Sequence, residues 1–370
     1  MAVTAIAVSF FVMILAVAIS GGFRREIRSG IADITGDVLL TGPSFNYYSD
    51  TSPISSSPSY MAEMEAVEGV KEIRKAIYRA GIVKVGDDIQ GVLFKGVEGR
   101  DSTLRASIPS HLATSLGLEA GDEMLTYFVG EKVKARKFVV EDIYESLVDA
   151  DGTMIAYVPI EDMRKVNGWE EGQISAMEVL LGSRFQSRND IRFKAEQIGS
   201  ICLMSAREDE DALVSTASVE KYSQIFDWLD LIDFNVYAIL ILMTIVAGFN
   251  MISGLLILLF RNTSTIGVLK ALGMNDRAIG GVFLRLAARI IAKGMLIGNA
   301  LALAFCALQG LTHLIRLNPE NYFVSFVPVR INVPFILAAD IISFGVIMLL
   351  LLIPTMFIAR VDPAQTVKSE

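Results

Sequence analysis

The chain has 370 residues, of which 52% are hydrophobic, and a formal net charge of −8. The hydrophobic share exceeds the roughly 45–50% of an ordinary soluble domain, and the acidic balance excludes nucleic acid as a partner, because phosphate binding needs basic surface. Two cysteines and two histidines are too few for a disulfide scaffold or a typical zinc site, so we expect no metal.

The hydrophobic excess lies in four blocks, each close to the roughly 20 residues that cross a bilayer. We therefore expect an α-helical membrane protein with four transmembrane helices. The predicted divisions are transmembrane helix 1 (1–22), a globular domain (23–230), transmembrane helix 2 (231–260), a short surface helix (261–278), transmembrane helix 3 (279–312), a loop (313–334), transmembrane helix 4 (335–359) and a tail (360–370).

The region 23–230 has ordinary globular character and is acidic. From Phe23 to Asp233 it holds 23 Lys and Arg against 36 Asp and Glu, a net charge of 23 − 36 = −13. Alternating apolar residues bounded by turns predict strands at 37–41, in 70–97, and at 124–129, 137–144, 153–158 and 176–181. Helices are predicted at 58–67, 109–118, 159–166 and 188–198. This pattern is typical of an α+β domain, here with two subdomains and the inserted one at about 85–160.

The segment after transmembrane helix 2 predicts a short amphipathic helix that ends at Gly273. We expect Ile266, Leu269 and Leu272 to share one face of it, and Asn275 or Asp276 to cap the next helix. A helix held between two membrane spans is suited to transmitting a push.

Basic residues also follow the predicted surface helix. Arg285, Arg289 and Lys293 stand at i, i+4 and i+8, on one helix face. Two interpretations stay open: side chains that extend to the membrane surface, or a docking face for an acidic cytosolic partner or lipid headgroups. Asp340 is the one acid in transmembrane helix 4, and we expect it near the interface rather than in a proton relay.

Loop charge predicts the orientation. Residues 261–278 hold three basic residues against one acid, so the positive-inside rule places this loop in the cytoplasm. Both termini are then cytoplasmic and the large domain is outside. Arg24, Arg25 and Arg28 follow helix 1 and oppose this orientation, but long domains translocate regardless of flanking charge. We also expect the natural chain to begin with a basic segment that precedes this sequence.

Motifs of catalysis are missing from the sequence. It has no G-x-x-x-x-G-K-[ST], no H-E-x-x-H and no G-x-S-x-G pattern. We therefore expect a non-catalytic subunit that binds no cofactor itself.

Several short segments, taken in order with the four-helix layout, resemble the permeases of the MacB/FtsX superfamily of ABC transporters, and most closely the lipoprotein-releasing (LolC/LolE-type) permeases. The segments that carry the resemblance are Gly22-Phe-Arg24, Gly36-Asp-Val-Leu-Leu40, Gly91-Val-Leu-Phe-Lys-Gly-Val97, Leu112-Ala113, Leu116-Gly-Leu-Glu-Ala-Gly-Asp122, Ile225-Phe-Asp-Trp-Leu229, Phe249 to Arg277, Asn321-Tyr-Phe-Val-Ser-Phe-Val-Pro328 and Ile358-Ala-Arg-Val-Asp-Pro-Ala364.

The resemblance implies a MacB-like periplasmic domain inserted between helices 1 and 2, in the inner membrane of a bacterium. It implies a dimer with a second permease subunit, identical or different, on a cytosolic ABC ATPase dimer that binds ATP and Mg. Family members work by mechanotransmission: closure of the ATPase moves helices and the outer domain acts on its cargo. For Lol permeases that cargo is a lipoprotein, released from membrane lipids towards the outer membrane.

The resemblance also implies site residues. The coupling helix that touches the ATPase corresponds to Arg261, Thr265, Ile266, Leu269, Lys270, Leu272, Met274 and Asp276. Lipoprotein acyl chains enter between helices 1 and 2 of opposing subunits, which implies contacts at Val17, Phe234, Tyr237 and Ile241. The family usually has an acid where Thr265 stands, so the ATPase contact differs here.

One Lol subunit carries a long hairpin that hooks a periplasmic carrier protein. Only Gly130 to Arg136 is available for it here, too short for a hook at ~3.3 Å per residue. A periplasmic carrier therefore stays an open partner, but we do not expect this connection to capture it. Two other functions stay open: MacB-like export of a small molecule or peptide with envelope partners, and FtsX-like signalling to a periplasmic partner. The size of the domain argues against signalling, and the absence of a fused ATPase argues against export.

Overall fold

The structure is a computed structural model that describes residues 2–48, 52–100, 103–130, 132–145, 154–185, 187–208, 210–318, 322 and 324–355. The predicted tail, the end of transmembrane helix 4 and the Ile358–Ala364 segment lie outside the described residues, as do residues 321 and 323 of the Asn321–Pro328 segment.

Helices and strands alternate in the first two thirds of the chain, and helices follow. In chain order the elements are α1 (Ala2–Thr35), β1 (Val38–Thr41), β2 (Ile54–Ser55), α2 (Met61–Glu65), β3 (Val70–Val85), β4 (Asp88–Val97), β5 (Arg105–Pro109), α3 (Ser110–Leu116), β6 (Glu123–Phe128), β7 (Lys134–Tyr144), β8 (Ile155–Pro159), α4 (Ile160–Asn167), β9 (Gln173–Ile174), β10 (Ala176–Leu181), α5 (Arg188–Met204), β11 (Val214–Ala217), α6 (Ser218–Lys221), α7 (Ser223–Arg261), α8 (Thr263–Ala271), α9 (Asp276–Thr312), α10 (Val333–Leu350) and α11 (Leu352–Thr355).

The chain forms two compact units. The helical unit contains Met1–Arg25, Leu229–Leu317 and Phe326–Glu370, and the sheet unit contains Glu26–Trp228 and Asn318–Ser325. Helix α1 therefore contributes its first residues to the helical unit and its last turns to the sheet unit, and α7 contributes to both in the opposite order.

Within the described residues, four helices are long and apolar enough to cross a membrane: α1, α7, α9 and the span Val333–Thr355. The four apolar helices predicted from the sequence are thus confirmed. Three are longer than predicted, with 34 residues in α1, 39 in α7 and 37 in α9. At 1.5 Å per residue these helices measure roughly 50–60 Å, against a hydrocarbon core of ~30 Å, so each continues beyond the bilayer.

Small residues bring α1 and α9 into close contact in the helical unit. Gly294, Gly298 and Ala302 are buried at i, i+4 and i+8 on α9. A Cβ atom on Gly298 would lie 2.4 Å from the Ala7 carbonyl oxygen, and one on Gly294 would lie 2.7 Å from Ile6 Cγ2. This is the small-x-x-x-small packing of membrane helices, in which short side chains let two backbones approach.

A second close approach lies at Gly22, in one of the segments that carry the family resemblance. A Cβ atom there would lie 2.2 Å from the Pro328 carbonyl oxygen. The Arg330 amide donates to the Ala18 carbonyl at 2.9 Å and fixes the same loop on α1. Glycine at position 22 is therefore required by this backbone contact.

The sheet unit is built on nine strands in the order β11-β1-β10-β3-β4-β8-β5-β7-β6, and β3 also pairs with β6. Because of this extra pairing, the six strands β3, β4, β8, β5, β7 and β6 form a closed ring. Strands β10, β1 and β11 continue from the other edge of β3 as an open sheet. β3 can serve both parts because it has 16 residues: Val70–Ala76 pair with β10 and Ala76–Val85 with β4.

The ring has an aromatic interior. Phe94, Phe128 and Phe138 are fully buried, with ring centroids 5.1 to 6.3 Å apart. A Cβ atom on Gly81 would lie 3.0 Å from both Phe94 and Thr126 side chains, so β3 needs glycine where the rings fill the interior. The region 85–160, predicted as an inserted subdomain, contains β4 to β8.

Most predicted strands and helices of the sheet unit are confirmed within a few residues, including β1, the β3–β4 hairpin, β6 to β8, α3 to α5 and β10. The sequence did not indicate β5 or β11, which are short and have little alternation. The β6–β7 connection, apart from residue 131, runs only from Val129 to Val133 because β7 begins at Lys134.

Replacing Gly298 by Ala should destabilise the helical unit, because the new methyl group overlaps the Ala7 carbonyl. We expect a cost of roughly 1–3 kcal/mol, typical of overpacking. Gly281 of the same helix is the matched control, since a Cβ atom there meets nothing within 4 Å and alanine is the better helix former. Thermal unfolding in detergent should show a lower Tm for G298A and an equal or higher Tm for G281A. Equal Tm values would contradict this packing.

Candidate functional site

The corner between α8 and α9 is fixed by three local contacts. Gly273 ends α8 in the left-handed conformation (φ 88°), and the Met274 amide donates to the Leu269 carbonyl at 2.9 Å, as in a Schellman motif. The Asn275 side chain caps α9 by accepting from the Arg277 amide at 3.2 Å. Lys270 forms an ion pair of 2.9 Å with Asp276. The predicted helix end and cap are thus confirmed.

The predicted coupling residues divide into two sets. Ile266 is 1% exposed and belongs to the core of the helical unit, and Leu269 and Met274 pack against that core. Lys270 and Asp276 bind each other. These contacts hold α8 in place, and the Asp276 side chain is still 44% exposed.

The outward face of α8 is formed by Thr265, Val268 and Leu272, and Val268 and Leu272 are 49% and 79% exposed. The expectation that Leu272 shares a face with Ile266 and Leu269 is therefore wrong. At 3.6 residues per turn, Leu272 lies above Thr265 and Val268, at i+7 and i+4. Val268 was missed, although its spacing from Leu272 would have identified it. Arg261 is also exposed, at the end of α7.

An apolar groove of about 440 Å³ lies between α7 and α10 in the helical unit. Two of the predicted lipid-contact residues, Tyr237 and Ile241, line it. Thr244 and Ser343 also line it and share a hydrogen bond of 3.1 Å, so their hydroxyls are satisfied. The remaining lining residues are Leu240, Ile245, Phe335, Ala338, Ala339, Ile342 and Val346.

A second depression, of about 240 Å³, shares Tyr237 and Phe335 with the groove and also contains charged side chains. It brings Val17 to Tyr237, next to Arg24 and Asp233, which form an ion pair. The Ser20 hydroxyl donates to Asp233 at 2.5 Å.

The four predicted lipid-contact residues differ in surroundings. Val17 is largely buried, packed with Ile14, Ala302 and Ile336. Phe234 is exposed but lines neither depression. Val17, Tyr237 and Ile241 therefore line two adjoining depressions, and Phe234 lies outside both.

Asp340 has a polar partner on a neighbouring helix. Its side chain is 6% exposed and accepts a hydrogen bond of 2.6 Å from Asn299 Nδ2, so it lies between α9 and α10. Asn299 on the neighbouring helix thus supplies a polar partner for Asp340 inside the helical unit, and the interfacial position expected for Asp340 stays a prediction. Such buried polar pairs join membrane helices.

The last turn of α1 is held in the sheet unit by a cluster that we call the α1 clasp: Lys95, Tyr78 and Glu178. Lys95 Nζ donates to the carbonyl oxygens of Asp33 and Ile34, each at 2.8 Å, and forms an ion pair of 2.7 Å with Glu178. The Tyr78 hydroxyl lies 2.7 Å from the Ile34 oxygen and also contacts the Glu178 carboxylate. Lys95 thus uses all three of its donors.

The clasp is dry, with side-chain exposures of 3% for Lys95 and 1% for Glu178. Burial lowers the pKa of the Lys95 ammonium, and the Glu178 carboxylate opposes that shift. Burial also raises the pKa of Tyr78 well above its usual value. A cation beside the carbonyls that end a helix is favoured by the helix dipole. The arrangement therefore binds the end of α1 through contacts that burial strengthens.

A second buried ion pair lies beside the clasp. Arg28 of α1 binds Asp37 at 2.8 Å, and Asp37 also accepts from the Leu181 amide at 2.7 Å. Burial raises the pKa of Asp37, and Arg28 opposes the shift. Gly36 lies between the two ion pairs and has φ +72°. A Cβ atom on Gly36 would lie 3.1 Å from the Cα atom of Glu178. Two segments that carry the family resemblance, those with Gly36 and Lys95, meet here.

Metal chemistry finds no support in the described part of the chain, where no group of three His, Cys, Asp or Glu side chains could hold an ion.

Residues 237–363 match the family model described as FtsX-like permease C-terminal. Over 98% of this chain and 92% of its own length, the lipoprotein-releasing system transmembrane protein LolE of Haemophilus influenzae is 21% identical. LolC of Xylella fastidiosa is 23% identical, over 99% of this chain and 92% of its own length.

The C-terminal third of the chain therefore matches the FtsX-like permease family. With LolC and LolE among its relatives, the chain is an ABC permease of the membrane. The solved periplasmic region of MacB from Actinobacillus actinomycetemcomitans is 12% identical and covers 51% of this chain and 91% of that one, with a TM-score of 0.32. The extracellular domain of the transporter YknZ covers 48% and 98%, also at 12% identity, with a TM-score of 0.31. Scores of this size do not establish a common fold.

Replacing Lys95 by Met should destabilise the sheet unit, because Glu178 and two carbonyl groups lose their buried partner. Breaking a buried ion pair costs about 3–5 kcal/mol. Both tryptophans, Trp169 and Trp228, belong to the sheet unit, so thermal unfolding followed by tryptophan fluorescence measures it.

The matched control is K137M, at an exposed lysine paired with Glu123. Exposed pairs contribute less than about 1 kcal/mol, so this variant should melt close to the parent protein. A K95M variant that melts like K137M would contradict the importance of the clasp.

Proposed function

We propose that the chain is the transmembrane subunit of an ABC transporter that releases lipoproteins from the inner membrane towards the outer membrane. The observation that supports this best is the length of the similarity: relatives whose names describe lipoprotein release match 98–99% of this chain, including both of its units. ATP hydrolysis is assigned to a separate cytosolic ATPase dimer, and a second permease subunit completes the complex.

The ATPase contact is assigned to the outward face of α8, with Thr265, Val268 and Leu272 as contact residues and Arg261 beside them. Two exposed apolar side chains on a short surface helix favour a protein partner, because a partner removes them from water. The opposite face of α8 lies in the core through Ile266. A push on α8 is thus passed to α9, with which it shares a capped corner and an ion pair.

Transmission to the outer domain is assigned to α1. This helix is uninterrupted from Ala2 to Thr35, and its last turn is bound by the clasp. Movement of α1 along or about its axis would therefore act on β3, β4 and β10, the strands that provide Tyr78, Lys95 and Glu178. In this proposal, mechanotransmission means that movement of α1 displaces these strands, and the mechanism requires no channel.

Cargo contact is assigned to the α7–α10 groove and the second depression beside it. The groove follows α7 from Tyr237 to Ile245, about 12 Å at 1.5 Å per residue, and offers an apolar lining to an acyl chain. Ser20, Arg24 and Asp233 offer polar groups next to it. A lipid-modified protein has both kinds of surface. The orientation that suits this function has both termini in the cytoplasm and residues 23–230 in the periplasm.

Substituting Asp for both Val268 and Leu272 should remove the ATPase, because two charges would be buried in the contact. Co-purification of the ATPase with the tagged permease measures this. The control is I89D/L125D, at two exposed apolar positions of the sheet unit. The proposed contact is wrong if V268D/L272D retains the ATPase, or if the control loses it equally.

The function is tested by reconstituting the permease and its ATPase in liposomes that contain a triacylated lipoprotein. We expect lipoprotein to leave the membrane when ATP is added, and to stay with a non-hydrolysable analogue. Release is followed in the supernatant with and without a carrier protein. If ATP is hydrolysed but no lipoprotein is released under either condition, the proposed cargo is wrong.

A further inference from the structure

One face of α9 is exposed along its whole length and changes character once. From its first turns it presents three basic side chains, Arg285, Arg289 and Lys293, all exposed and one turn apart. The same face continues with exposed Leu296, Ala300, Ala304, Ala307 and Leu311. Leu296 and Leu311 are 66% and 84% exposed. We call the three basic residues the basic ladder.

The opposite face of α9 is used for packing inside the helical unit, through residues that include Ala287, Ile291, Gly294, Gly298 and Ala302. The basic ladder therefore cannot turn inward. In a helix that spans a membrane, an exposed face with cations followed by apolar residues has its change of character at the boundary between headgroups and hydrocarbon. The ladder extends about 12 Å along the helix up to that boundary.

The charge around the ladder is strongly positive. Asp276 is the only acid in α9, and it is already paired with Lys270. No described residue forms an ion pair with Arg285, Arg289 or Lys293. Between residues 234 and 319 the sequence has seven Lys and Arg and one acid. A binding partner for the ladder must therefore supply negative charge.

We propose that the basic ladder binds the headgroup of an anionic glycerophospholipid, in the leaflet next to α8. A lipid fits better than an acidic protein, because the same face continues directly into exposed apolar residues at which its acyl chains would lie. Partly exposed Val282 and Leu286 add apolar surface beside the arginines. The inference does not depend on lipoprotein release, since it concerns lipid that stays with the protein.

Native mass spectrometry of the full chain, in micelles with equal amounts of phosphatidylglycerol and phosphatidylcholine, tests the proposal. We expect the parent protein to retain phosphatidylglycerol preferentially. Each basic residue near an anionic surface contributes about 1 kcal/mol, or roughly fivefold in affinity. The R285Q/R289Q/K293Q variant should lose roughly hundredfold, and R285K/R289K, which keeps the charge, should lose little.

A control for net charge is K71Q/K84Q/K132Q, which removes three exposed lysines from the sheet unit. It should keep the preference for phosphatidylglycerol. The proposal is overturned if the ladder variant keeps that preference, with or without a change of oligomeric state, or if the control loses it to the same degree. A change of oligomeric state with unchanged lipid binding would assign the face to a second copy of the chain.

If the triple variant does not fold, the parent protein still gives an answer. Raising the ionic strength from about 0.1 M to 1 M shortens the Debye length from about 10 Å to 3 Å. Bound phosphatidylglycerol should then fall at least tenfold relative to phosphatidylcholine. The R285Q/R289Q variant, which keeps Lys293, should already show an intermediate loss in low salt. No salt dependence in the parent protein would overturn the proposal.

Discussion

The end of α1 is bound inside the sheet unit by buried polar groups, and the proposed transmission of movement depends on this contact. A helix leaves its last carbonyl groups without partners, and in a buried place each such group is costly. Here an ammonium and a phenol occupy those sites, and a carboxylate neutralises the ammonium. Because all of these groups are buried, the end of α1 cannot separate from β3, β4 and β10 without exposing an uncompensated charge to apolar surroundings. A permease that acts by moving helices needs a joint of this kind.

Close contacts also join the helices of the helical unit to one another. Close packing at Gly294 and Gly298 joins α9 to α1, and the capped corner joins α8 to α9. A force applied at α8 thus has a continuous path of packed or hydrogen-bonded contacts to α1 within this unit. Asn299 and Asp340 extend the same path to α10 through one polar contact.

The sequence was sufficient for the number of membrane helices and for most of the sheet unit, because hydrophobic length and alternation are local signals. It could not give the ring closure, since the pairing of β3 with β6 depends on a long strand that serves two sheets. It also could not give the clasp: Lys95 and Glu178 lie in separate strands, and each alone is an ordinary charged residue. Two misses had local signals, the small-residue spacing on α9 and the position of Val268 relative to Leu272. The contact of Asp340 with Asn299 could not be predicted, because the two residues are on different helices.

The most direct measurement of the central claim is the number of lipoprotein molecules released per ATP hydrolysed, compared between the parent complex and Y78F. This substitution removes one hydroxyl from the clasp and keeps the aromatic ring of residue 78, so folding and assembly with the ATPase should be preserved. If α1 transmits force through the clasp, Y78F hydrolyses ATP at the parent rate and releases fewer molecules for each ATP, and Y127F, on the neighbouring strand β6, does not. An unchanged ratio in Y78F would contradict the account.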